Sequence, residues 1–295
     1  LKAPVNWQVS PKEISYNIAQ KNDKQTVAFF VTPPKNQSEG TLEVIASSAG
    51  KEYKKELIEI NYNHIPKQSV LSDSQAKMVR LNIKILGNNI GYINGAGDAI
   101  PESLRQIGYE VTLLNPLEIN GDNLQKYDAI VLGIRAYNVV KELKFKQKYL
   151  LDYVEKGGNL IVQYNTNRRV DIAAPFELKL SRDRVTDEFA EVRVLEKGHL
   201  ILNYPNKITS EDFKGWVQER GLYFPGTWSK EYTPILSMND KGETPKNGSL
   251  LIAKYGKGNY IYTGLSFFRE LPAGVSGAYK LFANMLAVGK DDLKE

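Results

Sequence analysis

The sequence contains no cysteine. This one absence excludes disulfides, thiolate metal sites and any thiol nucleophile. It also fits an exported protein that avoids stray thiols, so a periplasmic or secreted location is expected. Histidine is nearly as scarce. The two residues, His64 and His199, lie far apart in the chain, and neither has a partner at metal-ligand spacing. No metal and no cofactor are therefore expected. No apolar run reaches the roughly 20 residues needed to span a bilayer. The chain starts at Leu1 rather than at a methionine, and a targeting segment is expected to lie outside it.

No sign of charge dominates. The net charge of +5 is spread along 295 residues. The densest basic cluster, Lys141, Lys144, Lys146 and Lys148, reads as the solvated face of a helix. A nucleic-acid surface would combine concentrated basic residues with base-stacking aromatics, so no nucleic-acid partner is expected. What is present is the composition of a globular protein, with 42% hydrophobic and 25% charged residues, long enough for two domains.

The grammar of the chain changes near residue 89. Before it, short alternating runs read as strands: Val27, Phe29 and Val31 on one face, then Leu42, Val44 and Ala46, then Ile58, Ile60 and Tyr62. Thr32-Pro33-Pro34 stops the first run, and Ser47-Ser48-Ala49-Gly50 is a turn. Short strands between turns predict an immunoglobulin-like β-sandwich over residues 1–66, and polar residues 67–88 read as a linker. From 89 to 295 the order is β-α-β-α-β: strands at Ile90–Ile93, Glu110–Leu114, Tyr127–Leu132 and Asn159–Tyr164, and helices at Ile100–Ile107 and Lys141–Glu155. Pro101 suits a first helical turn, and Gly108 and Gly157-Gly158 suit helix ends. This order predicts a flavodoxin-like α/β domain with a parallel sheet. A hairpin from Ser249 to Thr263 and a final helix from Ser276 to Val288 complete it.

Familiar catalytic motifs fail one by one. Gly95-Ala96-Gly97 supplies two glycines of a dinucleotide loop, but Ile100 stands at the third, and Asn115 stands where an acid should hold the ribose. Gly274-Val275-Ser276-Gly277 has the wrong spacing for a serine-hydrolase elbow and reads as a helix entry. Asp187 and Glu188, after Arg182-Asp183-Arg184, suit loop ion pairs better than water activation. The run from Phe213 to Phe224, followed by Trp228, mixes aromatics with amides and charges. Such residues either stack on sugar faces and bind hydroxyls or roof a core. Phe267-Phe268-Arg269-Glu270-Leu271-Pro272 poses the same choice.

The segments Gly91–Asp98, Trp216–Phe224 and Phe267–Gly274 resemble the C-terminal region of large bacterial LmbE-like (PIG-L family) deacetylases, and the resemblance covers nearly the whole chain. In that family a metal-dependent N-acetylglucosaminyl deacetylase domain precedes β-sandwich and amidotransferase-like domains. Residues 90 to 288 also resemble class I glutamine amidotransferase-like domains, including the ThuA-like and β-galactosidase trimerisation branches, through the strand-helix-Gly-Gly-strand run from Tyr127 to Tyr164. The departures from both families are informative. The deacetylase motif His-Pro-Asp-Asp is absent. The strand ending at Tyr164 leads into Asn165-Thr166 with no thiol, and His199 is not followed by the glutamate of a His-x-Glu pair, so covalent glutamine hydrolysis is excluded.

The expectation is a non-catalytic accessory region of a carbohydrate-active protein, binding glycan or organising the other domains of its parent chain. Two alternatives stand beside it, a hydrolase with a non-cysteine site and a structural or oligomerisation domain. Ligand-binding candidates are Asn94, Asp98, Arg135, Tyr137, Asn165, Trp216, Glu219, Arg220 and Arg269. Asp98, Glu188 and His199 are the candidates for any surviving catalysis.

Overall fold

The computed structural model describes residues 1–168, 170, 172 and 174–290. The chain divides into two compact units, residues 1–82 and 83–295.

The first unit is all-β. Its strands pair antiparallel two by two: β1 (Gln8–Ser10) with β2 (Phe30–Thr32), β3 (Ser38–Glu43) with β8 (Gln75–Arg80), β4 (Ala46–Ser48) with β5 (Lys51–Tyr53), and β6 (Lys55–Ile60) with β7 (Gln68–Asp73). Exposed Phe30 lies between half-buried Phe29 and Val31, but Val27, read onto the same face, is exposed, as are Val44, Ile58 and Tyr62 of the other alternating runs. The β4–β5 turn is Ala49-Gly50, both at positive φ (48° and 77°), the geometry that matches hairpin twist. Residues 67–82 belong to this unit, and the stretch that reads as a linker supplies β7 and β8. Its polar composition reflects open faces: β7 is exposed along almost its whole length, so no apolar alternation is needed to hold it.

The second unit is built on a seven-stranded sheet. The strands are β9 (Asn89–Ile93), β10 (Glu110–Leu113), β11 (Ala129–Leu132), β12 (Asn159–Gln163), β16 (Tyr232–Pro234), β18 (Leu250–Tyr255) and β19 (Gly258–Thr263), in the order β10-β9-β11-β12-β19-β18-β16. The first five run parallel, β18 pairs antiparallel with β19, and β16 pairs antiparallel with β18 and so runs with the first five. In the parallel part the order is 2-1-3-4-5, which is the flavodoxin-like winding. Every residue of β11, β12 and β19 is buried, as strands covered on both faces require.

Helix α1 (Ile100–Gln106) links β9 to β10, the short α2 (Ala136–Val139) follows β11, and α3 (Leu143–Glu155) leads to β12. Leu143, Leu150, Tyr153 and Val154 of α3 pack on Ile130, Leu132, Leu160, Val162 and Tyr260, one face of the sheet. Alternation sends Val131, Ile161 and Ile261 to the other face. There α6 (Ser276–Ala287) packs on β12, and the Asn159 amide donates to the Met285 and Leu286 carbonyls at 2.9 and 3.2 Å. Between β12 and β18 lie the antiparallel pairs β13 (Leu178–Val185) with β15 (Gly221–Trp228) and β14 (Arg193–Val194) with β17 (Leu236–Ser237), together with α4 (Leu200–Asn203). Helix α5 (Phe267–Glu270) follows β19.

Candidate functional site

Parallel strands place their carboxyl ends on one edge, and in open α/β sheets ligands bind there. Four loops meet that description: Asn94–Asp98 after β9, Gly133–Arg135 after β11, Tyr164–Thr166 after β12 and Gly264–Ser266 after β19, which leads into α5.

Asp98 ties two of these loops together. It accepts the Tyr92 hydroxyl at 2.7 and 2.8 Å, the Ile100 N–H at 3.1 Å and the Ile134 N–H at 3.2 Å. Gln163 donates to the same Tyr92 oxygen at 3.0 Å. A carboxylate so placed orients the backbone of two loops and the Tyr92 hydroxyl. Gly95 completes the junction. A Cβ there would stand 2.0 Å from the Ile134 carbonyl oxygen and 2.8 Å from the Ala136 nitrogen, so only glycine lets the loops approach. The turn they clamp sets Arg135 at φ 56°, ψ 24° at the start of α2, a left-handed conformation unusual for a side chain of that size. Asn94, on the same loop as Asp98, is exposed.

Asn165 stands where β12 ends and is fully buried. Its oxygen accepts the Tyr137 N–H at 3.0 Å, its amide donates to the Gln163 carbonyl at 2.9 Å, and its backbone N–H donates to the Tyr262 hydroxyl at 3.2 Å. All of this holds loops together. Tyr137 packs its ring on the α3-side core, and burial pushes its hydroxyl well above the ordinary tyrosine range.

Beside Asn165 is an aromatic rim. The rings of Tyr164 and Tyr223 lie nearly parallel, 6.1 Å apart at 9°, and Phe268 meets Tyr164 at 5.3 Å. The Arg269 guanidinium sits 4.8 Å above the Phe268 ring. Its Nε donates to Glu219 at 2.9 Å, and a terminal nitrogen donates to Gln218. Tyr223 and Gln218 both take positive φ (52° and 68°), so three side-chain-bearing residues in unusual backbone conformations belong to this rim and its neighbouring turn. Burial raises the affinity of the Tyr164 hydroxyl for its proton, and the charges of Arg135 and Arg269 oppose that rise.

The rim rests on a buried carboxyl. Glu270 has no exposed surface. It accepts the Val217 N–H at 2.9 Å and lies 3.2 Å from the Ser266 hydroxyl, which donates to the Glu219 carbonyl at 2.6 Å. One hydroxyl proton cannot serve both oxygens. A protonated Glu270 can instead donate to Ser266 while Ser266 donates to Glu219. Burial pushes this carboxyl up to about 7, against the nearby Val217 N–H, Ser266, Arg220 and Arg269.

Among the remaining sequence candidates, Trp216, Arg220 and His199 direct polar groups to backbone within the second unit. Trp216 is 3% exposed and donates its indole N–H to the Asp212 carbonyl at 3.1 Å. Arg220 is buried over the Trp216 ring and donates to the Ala190 and Phe213 carbonyls. The run from Phe213 to Phe224 therefore divides: Trp216 and Arg220 roof the core, and Glu219 and Tyr223 reach the rim. His199 caps α4, its Nδ1 accepting the Ile201 N–H at 3.1 Å, and burial lowers its proton affinity. Glu188 is half-buried on a loop pinned by Asp240, which accepts from Thr186 and Asp187 at 2.8 to 2.9 Å. No cluster of three metal-ligating side chains occurs among the described residues, and no described helix is long and apolar enough to cross a membrane.

Tyr223, Phe268 and Glu270 lie in the two aromatic runs marked in the sequence but are not among its individual candidates, and Tyr164 is marked only as a strand end. The doublets Phe267-Phe268 and Tyr223-Phe224 carried a signal, because one ring of each pair is buried and its neighbour faces the other way. The positive φ at Tyr223 had none.

No family model and no curated protein matches the chain. Among solved structures it is similar to a protein from Thermoplasma acidophilum described as a candidate GMP synthase component. That match has 12% identity and a TM-score of 0.45, covering 71% of this chain and 99% of that one. It is also similar to a cytoplasmic protein of Salmonella typhimurium, at 14% and 0.44, covering 84% and 94%. A third is a ThuA-like protein from Bacteroides uniformis, at 13% and 0.43, covering 70% and 93%. The second unit is a flavodoxin-like α/β domain by its own strand order.

Proposed function

We propose that the chain is a non-catalytic accessory region of a carbohydrate-active protein, and that its second unit holds a glycan at the carboxyl ends of its parallel strands. The observation that carries this reading is the pairing of a committed strand end with a mixed rim. Asn165, at the position where an amidotransferase would place its thiol, spends its side chain on the Tyr137 N–H and the Gln163 carbonyl. Next to it Tyr223 and Phe268 are half-buried rings, and the Arg269–Glu219 pair offers donors and acceptors. Rings for the apolar face of a sugar beside polar groups for its hydroxyls are what a glycan site needs. Asp98 and His199 are occupied by backbone N–H groups, which argues against an acid–base pair.

The wider setting belongs to the same proposal. The parent is an LmbE-like deacetylase in the periplasm or outside the cell, and the first unit is an immunoglobulin-like spacer between its domains. Calorimetry against a panel of monosaccharides and oligosaccharides tests the binding claim. Binding that weakens about 10-fold or more in Tyr223→Ala is expected, since an aromatic contact contributes on the order of 1 kcal/mol beyond its buried area. No binding across the panel, or release of a cleaved product, would overturn it.

A further inference from the structure

We propose that Arg135 is an anion-recognition residue and that the ligand of the strand-end rim carries a carboxylate, as a uronic-acid sugar does. The proposal rests on the glycan reading above and specifies its ligand.

Five described arginines are shielded from solvent to some degree: Arg80, Arg135, Arg193, Arg220 and Arg269. Four have acceptors for their side chains. Arg80 donates to Leu81 and Asn82, Arg193 to Glu191 and Asn239, Arg220 to two carbonyls, and Arg269 to Glu219 and Gln218. The Arg135 side chain has no hydrogen-bond or ion-pair partner among the described residues. Its Nε is buried and unpaired. A desolvated donor on a permanent cation is costly unless something supplies an acceptor.

The fold nevertheless holds the residue firmly in place. Its N–H donates to the Tyr164 carbonyl at 2.8 Å. Its left-handed backbone is fixed by Asp98 on the Ile134 N–H and by the close approach of Gly95. The charge acts on the Tyr164 hydroxyl, one of the rim aromatics. A free guanidinium fork beside stacking rings matches a carboxylate, which it can take with two parallel hydrogen bonds. A dianionic phosphate fits less well. The other rim arginine is already neutralised by Glu219, whose own charge would repel a second negative charge.

The test is calorimetry of the intact chain with methyl glucuronide, methyl glucoside, acetate and glucose 6-phosphate, on wild type, Arg135→Gln and Arg135→Lys. Thermal unfolding checks that each variant folds. The glucuronide is expected to bind more tightly than the glucoside, to weaken as salt rises, and to lose about 10- to 100-fold in Arg135→Gln with partial retention in Arg135→Lys. If both sugars bind equally, the carboxylate inference fails and the glycan reading stands. If acetate binds as well as the glucuronide and loses affinity in Arg135→Gln, the anion site stands and the glycan reading fails. Tighter binding of the sugar phosphate overturns the choice of carboxylate, and no binding of any probe overturns both readings. Should Arg135→Gln not fold, the glucuronide-to-glucoside ratio and its salt dependence in wild type decide the matter.

Discussion

Glu270 makes the stability of the second unit depend on pH near neutrality. Its carboxyl is pushed from an ordinary 4.5 up to about 7 because it is buried, against the hydrogen bonds from Val217 and Ser266 and the charges of Arg220 and Arg269. The folded state therefore holds the proton more tightly than the unfolded state. The stabilisation is complete below about pH 4.5 and is lost as pH rises through about 7. The difference corresponds to about 3 kcal/mol between the two plateaus. The perturbation is Glu270→Gln, which keeps size and polarity but cannot ionise. Urea unfolding of both proteins from pH 5 to 8 gives the assay, and subtracting one curve from the other removes every other titrating group. Wild type is expected to lose about 2 to 3 kcal/mol relative to the glutamine variant across that range. The weakened anchor would loosen the Val217–Glu219 turn and, with it, the Arg269 pair. A flat difference, or one that favours wild type as pH rises, refutes the reasoning.

Other consequences follow from the same contacts. Gly95→Ala drives a Cβ into the Ile134 carbonyl and should cost about 3 kcal/mol in urea unfolding; a change below about 0.5 kcal/mol would mean the loops shift freely. Trp216→Ala should cost about 3 to 5 kcal/mol through its core cavity, while the folded fraction keeps its ligand affinity in calorimetry. A selective loss of affinity at unchanged stability would return Trp216 to the binding surface.

The parallel core was legible because burial on both faces leaves unbroken apolar runs, as in Ala129–Leu132 and Leu160–Val162. Its helices were legible through Pro101, Gly108 and Gly157-Gly158, whose backbone roles are local. The β7–β8 stretch was not, because exposed paired strands such as Gln68-Ser69-Val70 need no apolar face and resemble a linker. Asp98 and Arg135 were legible as strand-end residues, but their opposite fates depend on long-range partners. Asp98 is consumed by Tyr92 and Ile134, and the Arg135 side chain has no partner among the described residues. Asn165, Trp216 and Arg220 carry side chains equally suited to ligands and to buried carbonyls. Only packing distinguishes those uses.

The central claim is that the carboxyl ends of the parallel strands hold a ligand without transforming it. Amide chemical-shift mapping of the isotope-labelled chain during titration with methyl glucuronide tests it directly. Shifts confined to Asn94–Asp98, Ile134–Ala136, Tyr164–Thr166, Gln218–Phe224 and Ser266–Arg269, with unchanged sugar signals over hours, are predicted. Shifts centred instead on the open pocket of Arg182, Arg184 and Lys246, or the growth of product signals, would contradict the account.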